Sequence, residues 1–135
     1  MENLIQTATK FAPHLLILVF LTITFLQSGL DKLTDWKGNL SFLKEHFSKT
    51  FLKNNVPILL GIIMIGELIV SVLCIVGIVQ IYWAGVTTIG FYASALGGKV
   101  LLALLLGQRI AKDYAGAMTI TVYFIVALFG VYIMS

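Results

Sequence analysis

The stretch VPILLGIIMIGELIVSVLCIVGIV, residues 56–79, decides the fold class of this chain. An α-helix needs about 20 apolar residues to cross the roughly 30 Å hydrocarbon core of a bilayer, and this stretch is longer than that. Glu67 lies near its middle. A carboxylate at bilayer depth is costly and is usually kept for a function. The stretch therefore predicts a membrane protein with a polar site inside its helix bundle.

Three further apolar stretches complete the predicted architecture, at residues 11–30, 82–106 and 115–134. The composition agrees, because 59% of the residues are hydrophobic and only 11% are charged. A soluble domain of this size could not bury so much apolar surface, whereas lipid can cover it. We predict an all-α integral membrane four-helix bundle that forms a single domain over residues 1–135.

The ends of these spans carry helix-start signals. Pro13 and Pro57 fall in the first turns of their helices, where a missing N–H costs nothing. Asn54 or Asn55 could cap the second span, and Asp113 could cap the fourth.

The turn between spans two and three has the weakest signal. Only Gln80 interrupts the apolar run, so we predict the turn at residues 80–81. Tyr82 and Trp83 would then anchor the third span at the interface, with Gly85 just beyond.

Residues 31–55 form the one sizeable polar segment. Leu43, Phe47 and Phe51 recur at i, i+4 and i+8, which predicts a short amphipathic helix with Trp36 as an additional anchor. Two interpretations are open. The helix lies flat among the lipid headgroups, or it packs across the mouth of the bundle.

The basic residues predict the orientation of the chain in the inner (cytoplasmic) membrane. Cytoplasmic loops carry an excess of Lys and Arg. We therefore expect the loops at residues 31–55 and 107–114 to be cytoplasmic and both termini to lie outside. The loops carry Lys32, Lys37, Lys44, Lys49, Lys53, Arg109 and Lys112, against Lys10 on the terminal side. These charges form no basic-aromatic stripe, so no nucleic acid is expected as a partner.

Lys99, in the third span, is a candidate partner for Glu67. Glu67 lies roughly 16 Å along its helix from Val56, and Lys99 lies roughly 12 Å from Gly107 on the same membrane side. The two levels differ by about 4 Å, which a flexible lysine stem can cover. Two alternatives are open. The residues form a pair, or a neutral Glu67 bonds to a nearby carbonyl or hydroxyl while Lys99 extends toward the interface.

Helical spacing groups other polar residues into stripes. Such stripes face other helices rather than lipid, either as the lining of a cavity or as interhelical hydrogen bonds. The stripes comprise Glu67, Ser71 and Cys74 on span two, Thr88, Tyr92, Ala95 and Lys99 on span three, Thr24, Gln27 and Asp31 on span one, and Thr119 and Tyr123 on span four. On span three, Gly90, Ser94 and Gly98 recur every four residues and predict close helix packing.

Several kinds of chemistry are absent from the sequence. Cys74 is the single cysteine, so no intrachain dithiol relay can form. His14 and His46 are predicted on opposite membrane sides, so they cannot share a metal or a haem. We expect no metal site, no covalently bound cofactor and no enzyme complete in this chain.

Two short motifs carry a family resemblance. The segment Gly29-Leu30-Asp31-Lys32-Leu33 resembles the G-x-x-K-L signature of the DoxX family, small four-helix bacterial membrane proteins. Gly66-Glu67-Leu68, with Leu73 and Gly77 following, resembles the second span of that family. Ser71 stands where the family pattern usually has glycine. The resemblance covers roughly the first 80 residues and places the family's ionisable positions on Lys32 and Glu67.

The resemblance implies a role beside membrane redox systems, since the family is named after a subunit associated with a thiosulfate:quinone oxidoreductase. We expect a non-catalytic subunit or anchor of a quinone-linked complex, with quinone or lipid as its ligand. The partners would be the bilayer, other membrane subunits or a second copy. Alternatives are a structural or assembly factor and a small proton-coupled transporter that uses Glu67. The candidate ligand site comprises Gln27, Asp31, Lys32, Glu67, Tyr92 and Lys99.

Overall fold

The computed structural model describes residues 2–135, with side chains from Asn3 onward, and within these residues it contains six helices and no strand. The helices are α1 (Glu2–Lys10), α2 (Ala12–Thr34), α3 (Trp36–His46), α4 (Val56–Ala84), α5 (Thr88–Ile110) and α6 (Tyr114–Met134). Four of them, α2, α4, α5 and α6, are long and apolar enough to cross a membrane. The predicted all-α, four-span architecture is confirmed.

The first span differs from the prediction at both ends. The short helix α1, which was not predicted, precedes it and contacts both α2 and α4. At the other end, α2 continues past Leu30 to Thr34. Asp35 then begins α3, because its side chain accepts a hydrogen bond from the Gly38 N–H at 3.3 Å. The extra turn of α2 matters for the site, because it contains Lys32.

The turn between α4 and α5 lies later than predicted. Helix α4 runs through residues 80–81 and ends at Ala84, and Gly85 takes the left-handed conformation with φ 65°. Glycine adopts this conformation at little cost, so Gly85 rather than the polar Gln80 sets the helix end. Gln80 has a different role, since its Oε1 accepts a hydrogen bond from the N–H of Ile89 at 2.9 Å.

The amphipathic helix of the polar segment is shorter than predicted. Helix α3 ends at His46, so Phe51 lies beyond it and is 77% exposed. His46 Nε2 lies 3.3 Å from Gln108 Oε1 and 3.6 Å from Asp113 Oδ2, which ties the end of α3 to the α5–α6 connection. These contacts favour a helix that packs across the mouth of the bundle.

The predicted helix starts are partly confirmed. Pro13 and Pro57 stand in the first turns of α2 and α4. Asp113 caps α6, and its Oδ1 accepts a hydrogen bond from the Gly116 N–H at 2.9 Å. Asn55 occupies the capping position of α4, but its side chain makes no capping hydrogen bond.

The four spans form a ring in the order α2, α4, α5, α6, in which α2 and α6 share the thinnest interface. In the larger helix–helix interfaces, small residues let the two backbones approach closely, as is usual in membrane helix bundles. A Cβ placed on Gly77 of α4 would lie 3.0 Å from the Gly90 backbone of α5. The predicted groove of Gly90, Ser94 and Gly98 is buried against α6.

Candidate functional site

The site begins with Glu67 on α4, which is 1% exposed. Ser71 and Cys74 follow at i+4 and i+7 and are fully buried, so this predicted stripe does face the bundle. A buried carboxylate needs a compensating charge or hydrogen bond.

Lys32 on α2 supplies that charge. Its Nζ lies 2.8 Å from Glu67 Oε1, and it also donates a hydrogen bond to Ser28 Oγ at 2.6 Å. The approach to Oε1 is off the direction of a hydrogen bond, so the contact is an ion pair without one. The pair is well shielded, with the side chains of Lys32 and Glu67 14% and 2% exposed. It joins the last turn of α2, which ends at Thr34, to the middle part of α4.

Gly29 explains why the two helices come close enough for this pair. A Cβ at Gly29 would lie 2.7 Å from Leu68 Cδ2 and 3.5 Å from the Leu68 backbone N, so a larger residue here would displace the Leu68 side chain. Gly29 and Lys32 are three residues apart and therefore share the face of α2 that meets α4. The G-x-x-K spacing thus has a physical meaning: the glycine lies where α2 packs against α4, and the lysine, one turn later on the same face, reaches Glu67.

The alternative in which Glu67 pairs with Lys99 is wrong, because Lys32 holds that position. Lys99 is exposed on the outside of α5, and Tyr92 on the same face is 61% exposed. The predicted Thr88–Lys99 stripe therefore does not face the other helices. The reason is packing: α5 turns its small residues inward, which leaves its long polar side chains outside.

A cavity of about 660 Å³ lies beside the ion pair, between α2 and α6. Its walls are amphipathic, with polar groups toward the Glu67 end and aromatic and aliphatic side chains elsewhere. The lining comprises Phe20, Ile23, Thr24, Phe25, Gln27, Ser28, Asp31, Glu67, Leu101, Leu104, Ile120 and Tyr123.

The sequence-predicted site residues therefore divide into two groups. Gln27, Asp31 and Glu67 line the cavity, and Lys32 pairs with Glu67 at its wall. Lys99 and Tyr92 lie elsewhere. Ser28 was missed, although its position four residues before Lys32 on α2 is the helical spacing that brings the two side chains together.

The fold and this site define a small four-span membrane protein with a buried ion pair at the wall of an amphipathic cavity. A family model for DoxX matches residues 14–96, a range that includes both Lys32 and Glu67. The chain belongs to the DoxX family. No curated protein and no solved structure matches it at a comparable level of significance.

Proposed function

We propose that this DoxX-family protein is a non-catalytic membrane subunit or anchor of a quinone-linked redox complex, and that its cavity receives the quinone headgroup. The observation that carries the proposal is the Lys32–Glu67 pair at the wall of an amphipathic cavity between the membrane-spanning helices. Small-molecule sites typically combine apolar walls, a few placed polar groups and a volume of roughly 300–1,000 Å³. The family's association with a quinone-dependent enzyme gives the ligand class.

The chemistry of the lining suits a quinone. A quinone ring is flat and apolar, with two carbonyl oxygens that accept hydrogen bonds. Phe20 and Phe25 offer aromatic surface for the ring. The Gln27 amide, the Ser28 hydroxyl and the Tyr123 phenol can each donate to a carbonyl oxygen. Phe20 and Ile23 are 37% and 57% exposed on the surface of α2, so lipid-dissolved molecules can reach the rim.

Glu67→Gln tests this role, because it removes the carboxylate charge from the cavity wall and keeps the side-chain volume. We expect a short-chain photoreactive benzoquinone to label α2 and α6 of the wild-type protein in lipid nanodiscs. The Glu67 carboxylate cannot itself bond to a quinone carbonyl, since both accept, but it holds Lys32 beside the Ser28 hydroxyl, one of the candidate donors. Losing the orientation of one such donor costs about 0.5–1.5 kcal/mol, so we expect quinone binding to weaken up to about tenfold. Quinone-dependent turnover of the native complex should change while the complex stays assembled.

Lys99→Gln is the matched control, since it also removes one charge from a span but lies outside the cavity. It should leave quinone labelling unchanged. Equal labelling of wild type and Glu67→Gln, with both variants folded, would remove the quinone role.

A structural or assembly role is the second candidate, and the ion pair itself favours it because the pair joins α2 to α4. In that case the cavity has no ligand, and Glu67→Gln alters complex assembly without altering quinone labelling. The two readouts of the same variant therefore separate the two candidates.

We further propose that the connections 35–55 and 111–113 face the cytoplasm of a cell with an inner membrane. The His46–Gln108 contact supports one shared side for both, and their positive charge supports the cytoplasmic one. An impermeant maleimide should label Lys49→Cys in inverted vesicles and Ser135→Cys in right-side-out vesicles. The native Cys74 is buried and should stay silent. The reverse labelling pattern would contradict this orientation.

A further inference from the structure

Lys99 is a charged residue inside a membrane span, and it has no role in the cavity described above. It lies eleven residues from either end of α5, at the midpoint of the span. At 1.5 Å per residue this is about 16 Å from each end, close to the centre of a roughly 30 Å hydrocarbon core. Its side chain is exposed on the outside of the bundle, and among residues 3–135 it forms no ion pair.

Extension toward the interface does not remove the cost. The lysine stem has four carbons and reaches about 6 Å, less than half of the distance to either membrane surface. Ionisable residues in spans almost always face a bundle interior, a water-filled cavity or a partner. Lys99 does not face the cavity between α2 and α6, because it lies about 200° around α5 from Leu101, which lines that cavity.

The surroundings of Lys99 form a continuous helix face. Tyr92, Lys99, Ala103 and Leu106 recur at intervals of seven, four and three residues, the spacing of one stripe along a helix. All four are exposed. Ala103 leaves a small-residue gap one turn from Lys99, where a neighbouring backbone can approach. We call these four residues the outer face of α5.

We propose that the outer face of α5 docks a transmembrane helix of a different membrane protein, which carries an aspartate or glutamate at mid-bilayer depth opposite Lys99. Charge complementarity selects this occupant. A second copy of the chain does not fit, because its only acidic residue in mid-span, Glu67, is buried and paired with Lys32. Two copies meeting on this face would bring two lysines together.

This inference names a partner for the proposed subunit and rests on that role only in requiring a complex. The outer face and the cavity lie on different sides of α5, so the two can be tested apart. Lys99 variants should lose the partner and keep quinone labelling, whereas Glu67→Gln should do the opposite.

The test is photocrosslinking in native membranes, with benzoylphenylalanine at position 103. The matched control position is Val19, an exposed residue of α2, which lies diagonally across the ring from α5. We expect position 103 to crosslink to a transmembrane peptide that contains Asp or Glu, and position 19 to crosslink to lipid. Lys99→Leu should lower the protein adduct at least tenfold, while Lys99→Arg, which keeps the charge, should retain most of it.

Charge reversal completes the experiment. Lys99→Glu should abolish the adduct, and exchanging the partner's identified carboxylate for lysine should restore it. The proposal is overturned by adducts to lipid alone, by an adduct to a second copy of this chain, by a captured peptide without a carboxylate, or by an equal yield from Lys99→Leu. Unfolding by sodium dodecyl sulfate titration of the same variants reports that they are folded.

Discussion

Lys32→Met is expected to destabilise the bundle by about 3–5 kcal/mol, the usual cost of removing one partner of a buried ion pair. The loss arises because Glu67 stays buried on α4 without its compensating charge. Glu67→Met should cost a smaller amount, since Lys32 keeps its hydrogen bond to Ser28 and is partly exposed. Unfolding by sodium dodecyl sulfate titration in mixed micelles measures each value.

The double variant Lys32→Met with Glu67→Met is the decisive comparison. Because neither charge is stranded in it, we expect it to be more stable than Lys32→Met alone, with a coupling energy of about 1–3 kcal/mol. Lys99→Met is the control and should combine additively with Glu67→Met. Additive losses from Lys32→Met and Glu67→Met would show that these two residues do not interact. Coupling between Lys99 and Glu67 would show that Lys99 is the partner.

Gly77→Ala is the second substitution with a large expected effect. The new Cβ would lie 3.0 Å from the backbone Cα and N of Gly90, so α4 and α5 must move apart as whole helices. Overpacking of this kind usually costs about 1–3 kcal/mol. We expect a loss of that size in the same unfolding titration.

Gly98→Ala is its matched control, because it makes the same chemical change on a buried glycine of the same bundle. Its Cβ would meet only Phe124 Cε2 at 3.7 Å, an ordinary van der Waals distance. Alanine is also the better helix former by up to about 1 kcal/mol. Stability should therefore be unchanged or slightly raised. Equal losses from both substitutions would mean that the close α4–α5 contact at Gly77 does not limit packing.

The sequence was sufficient for the parts of the fold that depend on local physical chemistry. Four long apolar runs require four spans, the prolines mark helix starts, and Asp113 caps α6 as its residue type suggests. The predicted turn at Gln80 was wrong because a polar residue in an apolar run resembles a loop. The backbone ends α4 at Gly85, where a left-handed conformation is inexpensive.

The partner of Glu67 could not be read from apolar periodicity. The apolar run of the first span ends at Leu30, where charged residues follow, and that end places Lys32 in a loop. The extra turn of α2 brings Lys32 onto the face that meets α4. Depth along the membrane admits Lys99 as a partner of Glu67, but depth carries no information about which side of α5 Lys99 occupies. The family motif, which places its charges on Lys32 and Glu67, was the better guide.

The cavity depends on all four spans together. Gln27 and Asp31 were accessible to sequence reasoning as a polar stripe on α2. The sequence could not predict that Leu101, Leu104 and Ile120 line the cavity, because aliphatic residues in a span carry no signal that separates lipid-facing from cavity-lining positions. Only the thin α2–α6 interface, a property of the assembled ring, brings them to one space.

The measurement that tests the central claim most directly is a solid-state NMR coupling between lysine Nζ and Glu67 Cδ in lipid bilayers, with the side-chain nitrogen of every lysine and the carboxyl carbon of Glu67 isotopically labelled. The 2.8 Å contact between Lys32 Nζ and Glu67 Oε1 predicts a strong dipolar coupling between Lys32 Nζ and Glu67 Cδ. The coupling should vanish in Lys32→Met and persist in Lys99→Met. A coupling that persists in Lys32→Met and vanishes in Lys99→Met would contradict the site described here.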